Sequence, residues 1–364
     1  MTRDYSQFLK PAAKGAGVKK GTGAQHKLST LETLGWQPYF AQQTSVDEMA
    51  EMPPVRVIEV HRNGLHAVGD GVDTIIPPGP DATVGDWLLF DRAHPASSRV
   101  LDRKSLIKRR AAGHDRQTQL IAANIDTAFI VSSCNQDFNV ARLERYIALA
   151  FEADVAPVII LTKIDLCETP DQYVAEASAI SSQVPVVVLD ARGEEPRSKL
   201  AEWCRPGRTL AFLGSSGVGK STLINALSGT RSIETQAIRE DDAKGRHTTT
   251  SRQLHILPEG CAVLDTPGIR ELQLTDVESG VAEVFSDLHA LSTQCRFNDC
   301  RHETEPGCAV LAAIEAGEVD TVRLARWQKL VAEDRHNSAS LAQRKSKDKT
   351  LGKTIRQVQK LKKK

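Results

Sequence analysis

The residues best suited to chemistry lie in a glycine-rich segment that fits the pattern G-x-x-x-x-G-K-[ST]. Glycines let the backbone wrap around a phosphate group and direct its N–H groups inward. An apolar run precedes the segment and a helical pattern follows it, so a fortuitous turn is disfavoured. Lys220 is predicted to reach the β- and γ-phosphates of a nucleotide, and Ser221 to ligate Mg²⁺. The predicted phosphate-binding residues are Gly214, Ser215, Ser216, Gly217, Val218, Gly219, Lys220 and Ser221.

A second segment, Asp265-Thr-Pro-Gly268, follows another apolar run. A carboxylate beside a phosphate loop can hold Mg²⁺ through water, and the Gly268 N–H can meet a γ-phosphate. We therefore predict that Asp265 and Gly268 belong to the catalytic site. In isolation this tetrapeptide would be an ordinary turn.

A third segment comprises Thr162, Lys163, Ile164 and Asp165, again at the end of an apolar run. The carboxylate can accept hydrogen bonds from the N1–H and the amino group of guanine, a donor pair that adenine lacks. The stem of Lys163 can cover the base. GTPases more often have Asn where this chain has Thr162, a difference that weakens the expected amide contact.

The order of the three segments indicates a rearranged fold. In ordinary GTPases the phosphate loop comes first and the guanine-reading segment follows it. Here the guanine-reading segment precedes the phosphate loop, and Asp265 comes last. A ligand site across strand ends survives a cut at another loop, because spatial neighbours are kept. The sequence therefore predicts a circularly permuted GTPase.

The sequence contains no obvious residue to orient the water that attacks the γ-phosphate. Gly245-Arg-His-Thr-Thr-Thr250 occupies the position of a switch loop, and we favour Thr249 for the Mg²⁺ shell although the register is open. Many GTPases place Gln after Asp-x-x-Gly to orient water, whereas this chain has Ile269. We expect slow intrinsic hydrolysis, with the polar group supplied by His247 or by a partner; a plain surface role for His247 stays open.

Three thiols and an imidazole form a metal-binding pattern: Cys295, Cys300, His302 and Cys308. Cys₃His is a set that holds structural zinc, and four protein ligands leave no open position for catalysis. We predict one structural Zn²⁺ per chain, with free thiols as the alternative. The odd total of seven cysteines argues against a disulfide framework.

The elements that position these groups follow from the remaining pattern. Short strands separated by turn residues between about 55 and 110 favour a small barrel, of the oligonucleotide-binding (OB) type ahead of an SH3-like one. A docking barrel that touches no RNA stays the alternative. Alternating strands and helices from residue 121 onward indicate an α/β domain with a mostly parallel sheet. The predicted divisions are a basic, partly disordered extension (1–52), the OB barrel (53–112), the GTPase domain (113–285), a zinc-binding domain (286–340) and a Lys-rich tail (341–364).

Composition and charge limit the function classes. The chain has 364 residues, 40% of them hydrophobic, and a net charge of +1. Six Lys/Arg lie against one Asp in residues 1–30, and ten against one Asp in residues 341–364, so the body is acidic and both ends are basic. Such ends suggest arms that meet a polyanion, or solubilising tails. We expect no membrane span and no secretory signal, and a cytoplasmic location.

Taken together, the permuted segments, the switch segment and the zinc spacing resemble the small ribosomal subunit-dependent GTPase A family over roughly residues 53–340. The resemblance implies a multidomain protein with an N-terminal OB-fold β-barrel, a central α/β circularly permuted P-loop GTPase domain and a C-terminal, mostly helical zinc-binding domain. It further implies slow GTP hydrolysis with Mg²⁺, stimulation by the small (30S) ribosomal subunit, binding of its rRNA and a role in late subunit maturation. The family also has the histidine that corresponds to His247.

Two other interpretations stay open at this point. The first is an RNA-binding assembly factor in which GTP is mainly a conformational ligand, an interpretation that Ile269 supports. The second is a permuted GTPase that acts on the large subunit. We expect GTP and GDP as ligands and a monomeric chain.

Overall fold

The computed structural model of the chain describes residues 28–61, 63–110, 118–229, 252–265 and 276–338. The chain divides into two compact units, residues 1–272 and 273–364. The described strands are β1 (Pro54–His61), β2 (Gly64–Gly69), β3 (Val72–Ile76), β4 (Trp87–Leu89), β5 (Arg99–Val100), β6 (Leu106–Arg110), β7 (Thr118–Ala123), β8 (Thr127–Ser133), β9 (Ala156–Thr162), β10 (Val186–Val188), β11 (Thr209–Leu213), β12 (Arg252–Ile256) and β13 (Ala262–Asp265). The described helices are α1 (Thr30–Thr33), α2 (Pro38–Ala41), α3 (Val46–Glu51), α4 (Val140–Glu152), α5 (Pro170–Ser178), α6 (Glu195–Lys199), α7 (Lys220–Ser228), α8 (Glu278–Val284), α9 (Ser286–Ser292), α10 (Ala309–Glu315) and α11 (Thr321–Ser338).

A parallel sheet forms the centre of the first unit, with the strand order β10-β9-β8-β11-β13. Every residue of β8, β9 and β11 is buried, as expected for parallel strands covered on both faces. Helix α4 packs on β8 and β9. The strands and helices predicted here from apolar runs are confirmed, and parallel pairing brings all five carboxyl ends to one edge of the sheet.

A smaller antiparallel sheet precedes it, with the order β3-β2-β1-β4-β5. Its inward residues form a separate apolar cluster that includes Val55, Val57, Leu88 and Phe90. Among the described residues no strand pairing joins β3 to β5, so the assignment to an OB barrel stays a prediction. Between Arg99 and Arg110 the chain forms two strands, β5 and β6, and β6 pairs with β7 in a separate hairpin.

The two sheets are continuous through β1. Its residues Glu59 and Val60 pair antiparallel with Gln253 and Arg252 of β12, and β12 pairs with β13. The result is one path of strands from the antiparallel sheet to the parallel one.

Residues 30–51, which we placed in an irregular extension, contain three short helices. Ser29 and Ser45 cap α1 and α3 through reciprocal bonds with Glu32 and Glu48. The helices are held by an aromatic cluster, in which the Trp36 and Phe40 rings lie 4.8 and 5.9 Å from that of Trp87. Tertiary packing of this kind stabilises helices that are too short to persist unaided.

Buried charges join the sheets at the amino ends of β8 and β11. Arg56 is fully buried and donates to the Thr209 hydroxyl over 2.8 Å and to backbone carbonyls. Asp126 accepts from Lys104 at 2.9 Å, Arg208 at 3.0 Å and the Thr209 N–H at 2.8 Å. Burial opposes ionisation of Asp126, but these donors prevail and lower the pKa of its carboxyl below its usual value.

The second unit is helical where it is described. Helices α8 and α11 pack together, and the Asp334 carboxylate of α11 accepts from the Val277 N–H at the start of α8. Within the described ranges no helix is both long and apolar enough to span a membrane.

Candidate functional site

The three predicted nucleotide-binding segments meet at the carboxyl edge of the parallel sheet. Thr162 ends β9, Gly214 follows β11 and Asp265 ends β13. Strand β8 lies between β9 and β11, and β13 lies on the other side of β11. Segments that are far apart in the chain thus share one edge, where open α/β sheets bind ligands. This is the arrangement that the permuted order predicts.

The phosphate loop has a backbone that only glycine can supply at its first position. Gly214 has φ +136°, and a Cβ there would lie 2.3 Å from the Val131 carbonyl oxygen of β8. The loop ends where α7 begins, at Lys220. The Lys220 ammonium donates to the carbonyls of Gly214 and Ser215, so it lies over the mouth of the loop. A helix start and a cation at one concavity suit an anionic ligand.

Thr162 contacts the phosphate loop and is fully buried. Its hydroxyl donates to the Val218 carbonyl over 2.6 Å, with the Ser132 carbonyl at 3.2 Å. The residue that we regarded as a weakened guanine contact therefore ties the guanine-reading segment to the phosphate loop.

The remaining residues of the guanine-reading segment project from the strand end. Lys163 has a left-handed backbone, with φ 59°, and Asp165 lies exposed on the 3₁₀ turn Ile164–Leu166. This turn frees the carboxylate from the sheet. Ala191, which follows β10, also reaches the site, because a Cβ on Gly219 would lie 3.7 Å from it. We did not predict Ala191; its signal was a small residue just after a strand.

A second residue that the sequence did not indicate is Arg142, in the first turn of α4. Its Nη1 donates to the Ser215 hydroxyl over 2.5 Å. An exposed arginine in a helix carries no local signature, and only the strand order brings it to the phosphate loop.

Several predicted residues lie outside the described part of the chain. These are His247, Thr249 and Gly268, together with Ile269. The backbone of Asp265 closes β13 and pairs with Gln253, whereas its side chain is outside what the structure describes. Their predicted roles therefore stay predictions.

The second unit brings the four predicted metal ligands together. The ligand atoms of Cys295, Cys300, His302 and Cys308 all lie within 4.8 Å of one another. Tetrahedral zinc, with bonds of about 2.3 Å to sulfur and about 2.0–2.1 Å to nitrogen, requires S–S edges of about 3.8 Å and N–S edges of about 3.6 Å. The Cys295–Cys308 sulfurs are 3.8 Å apart, and His302 Nδ1 lies 3.6 and 3.3 Å from them. The donor set and its spacing fit Zn²⁺.

The surroundings of the cluster favour the metal-binding forms of His302 and Cys295, whereas burial and the neighbouring thiols raise the pKa of the Cys300 thiol to about 11. Burial lowers the pKa of His302 and so favours the neutral imidazole. Partial burial opposes ionisation of Cys295, but N–H groups of Ala309 and Val310 lower the pKa of its thiol. The Trp327 ring packs beside the imidazole of His302, with the two ring centroids 5.4 Å apart.

Known proteins with similar sequences cover most of the chain. The family model of the RsgA GTPase matches residues 100–275. A protein of Vibrio parahaemolyticus named small ribosomal subunit biogenesis GTPase RsgA 2 is 47% identical over 90% of this chain and 92% of its own length. One of Mesorhizobium japonicum, named small ribosomal subunit biogenesis GTPase RsgA, is 47% identical over 85% of this chain and 91% of its own.

Solved structures show a similar fold. YjeQ from Thermotoga maritima is 27% identical, with a TM-score of 0.57 over 77% of this chain and 97% of its own. YloQ, described as a circularly permuted GTPase, has a TM-score of 0.56 over 82% of this chain and all of its own; at 22% identity it shows the fold alone. The strand order, the shared strand-end edge and the extent of sequence identity lead to one assignment: the chain belongs to the RsgA GTPase family.

Proposed function

We propose that this GTPase binds GTP and GDP at the carboxyl edge of its parallel sheet and hydrolyses GTP slowly. Lys163 covers the guanine and Asp165 accepts from its N1–H and amino group. Residues 214–221 surround the phosphates, with Lys220 on the β- and γ-phosphates and Ser221 on Mg²⁺. The observation that carries this proposal is the junction between Thr162 and Val218, which fixes the base-reading segment against the phosphate loop.

Catalytic roles are proposed for residues that the sequence singles out. Asp265 holds Mg²⁺ through water, Gly268 meets the γ-phosphate and Thr249 joins the Mg²⁺ shell. His247 supplies the polar group that Ile269 lacks, or a partner does. Replacing His247 with Ala tests this role, and unchanged stimulated turnover would exclude it.

We further propose that the partner is the small (30S) ribosomal subunit and that the chain assists its late maturation by binding rRNA. The names of the relatives support this assignment, and the basic ends of the chain fit a polyanionic partner. The protein would act in the cytoplasm as a monomer. The antiparallel sheet is proposed as an OB barrel, and the Cys₃His cluster as a structural site for one Zn²⁺ per chain.

The decisive experiment measures GTP turnover by the full chain with no addition, with small subunits and with large subunits. We expect strong stimulation by small subunits and none by large ones. Equal stimulation by both would refute the assignment of the partner.

A second candidate function is an RNA-binding assembly factor that uses GTP as a conformational ligand, because Ile269 cannot orient water. The two functions differ in one outcome. If a variant that binds GTP but cannot hydrolyse it still matures subunits, the second function is correct. If maturation stops at the GTP-bound stage, hydrolysis is required.

A further inference from the structure

Arg142 is held beside the phosphate loop by its helix. Helix α4 begins after β8, the strand next to β11, and the Asn139 side chain caps it by accepting from the Arg142 N–H at 3.0 Å. The first turn of α4 is thereby fixed at the same edge as the nucleotide-binding segments. Arg142 Nη1 donates to the Ser215 hydroxyl at 2.5 Å and to the Asp137 carbonyl at 3.4 Å.

The contacts of Arg142 leave most of its binding capacity unused. A guanidinium has five N–H donors in a planar fork and stays charged at any physiological pH. The described part of the chain gives Arg142 only these two neutral acceptors, both through Nη1, and no carboxylate. The side chain is exposed. A positive charge that no carboxylate of the described residues neutralises, held at a phosphate-binding loop, points to an anionic ligand.

Phosphates suit this group better than other anions. The guanidinium fork matches the oxygens of a phosphate and binds two of them at once. Ser215 follows the first glycine of the loop. The Arg142 side chain therefore approaches the loop from the side where Ser215 and Ser216 lie. Lys220 already covers the carbonyls of Gly214 and Ser215. Arg142 is thus a second cation at the same mouth, supplied from a different helix.

We propose that Arg142 leaves Ser215 when GTP binds, contacts the γ-phosphate and stabilises the charge that develops there during hydrolysis. This inference rests on the proposed function. Water attacks the γ-phosphorus, the bond to the β–γ bridging oxygen breaks, and GDP leaves with that electron pair while the phosphate and a proton are released. Arg142 donates hydrogen bonds throughout and neither gains nor loses a proton. An arginine supplied within the chain compensates in part for Ile269.

The test compares Arg142→Gln and Arg142→Lys with the wild-type chain. Stimulated kcat, and Kd for GDP and for a non-hydrolysable GTP analogue, are measured for each. We expect kcat to fall roughly a hundredfold or more in Arg142→Gln, analogue affinity to fall, and GDP affinity to stay within about twofold. Arg142→Lys keeps the positive charge but loses the planar guanidinium fork. Its kcat should therefore lie between the values of the wild type and of Arg142→Gln.

A matched control is Arg205→Gln, which also removes one exposed arginine but lies ahead of β11, at the opposite edge of the sheet. The Arg205→Gln variant should keep the wild-type kcat and the wild-type Kd values for GDP and for the analogue. If Arg142→Gln weakens GDP and the analogue equally and keeps kcat at saturating GTP, Arg142 only supports the loop and the inference is wrong. Wild-type turnover separately tests the proposed function, whereas the ratio of analogue to GDP affinity tests Arg142 without any turnover.

Discussion

Replacing Thr162 with valine should loosen the nucleotide site while preserving the strand that carries it. Valine keeps the β-branched shape of threonine and removes only the hydroxyl. In the native chain that hydroxyl donates to the Val218 carbonyl over 2.6 Å and lies 3.2 Å from the Ser132 carbonyl. The hydroxyl has a single proton, so the shorter contact to Val218 carries most of the interaction.

The size of the effect follows from burial. Thr162 is fully buried and Val218 is 2% exposed, so water cannot readily replace the lost donor. A buried acceptor left without its partner costs about 1–3 kcal/mol. If the whole cost falls on the nucleotide-bound state, GDP affinity drops about 5- to 150-fold. If it falls equally on the free and bound states, the unfolding free energy drops by that amount and the affinity stays unchanged.

Two measurements separate these possibilities. Urea unfolding of the nucleotide-free chain reports the loss of stability, and titration with GDP reports the loss of affinity. Thr162→Ser is the matched control, because it keeps the hydroxyl and should bind GDP more like the wild type than Thr162→Val does. Wild-type values for Thr162→Val in both measurements would refute the reasoning that this hydroxyl joins the two segments.

Three further predictions concern other parts of the molecule. Asp165→Asn should weaken GDP binding and improve binding of xanthosine diphosphate in competition assays, because an amide N–H can donate to the oxygen that replaces the amino group of guanine. A chelator should remove Zn²⁺ from the Cys₃His cluster and unfold residues 290–310, seen as faster amide hydrogen exchange in that segment, while GTP binding stays largely intact; a chain without bound zinc, or without a change in exchange, would contradict this. Asp126→Asn should cost about 3 kcal/mol of unfolding free energy at pH 7. Because the folded pKa of Asp126 is lowered, its contribution is complete above its unfolded value of about 3.9 and is lost as the pH falls through the folded pKa, so the curves of unfolding free energy for variant and wild type should converge in acid.

The central sheet and most of the site could be predicted because their signals are local. The residues of β8, β9 and β11 are mostly apolar, with Thr or Ser only at the strand ends, which marks buried parallel strands, and each binding segment directly follows an apolar run. The Cys₃His spacing likewise lies within a short stretch, and the structure brings all four ligand atoms together.

The rest depends on contacts between distant parts of the chain. Helices α1–α3 carried a local signal in the Ser-x-x-Glu caps at Ser29 and Ser45, but such short helices persist only by packing on Trp87. Arg142 and Ser215 lie on separate elements, and no pattern in either predicts that they meet. The contact of Thr162 with Val218 was missed for the same reason, since residue type suggested only a weaker ligand for the base.

The pairing of β1 with β12 also fixes an order of events during synthesis. Strand β1 meets β4 through Pro54–Arg56, but its pairing at Glu59 and Val60 waits for β12, which is translated far later. Strand β8 likewise has an open edge until β11 is translated. An emerging chain therefore presents two incomplete strand edges, which are templates for aggregation. The last strands, β12 and β13, complete both sheets together, so a chain that stops before residue 252 should be insoluble rather than partly active.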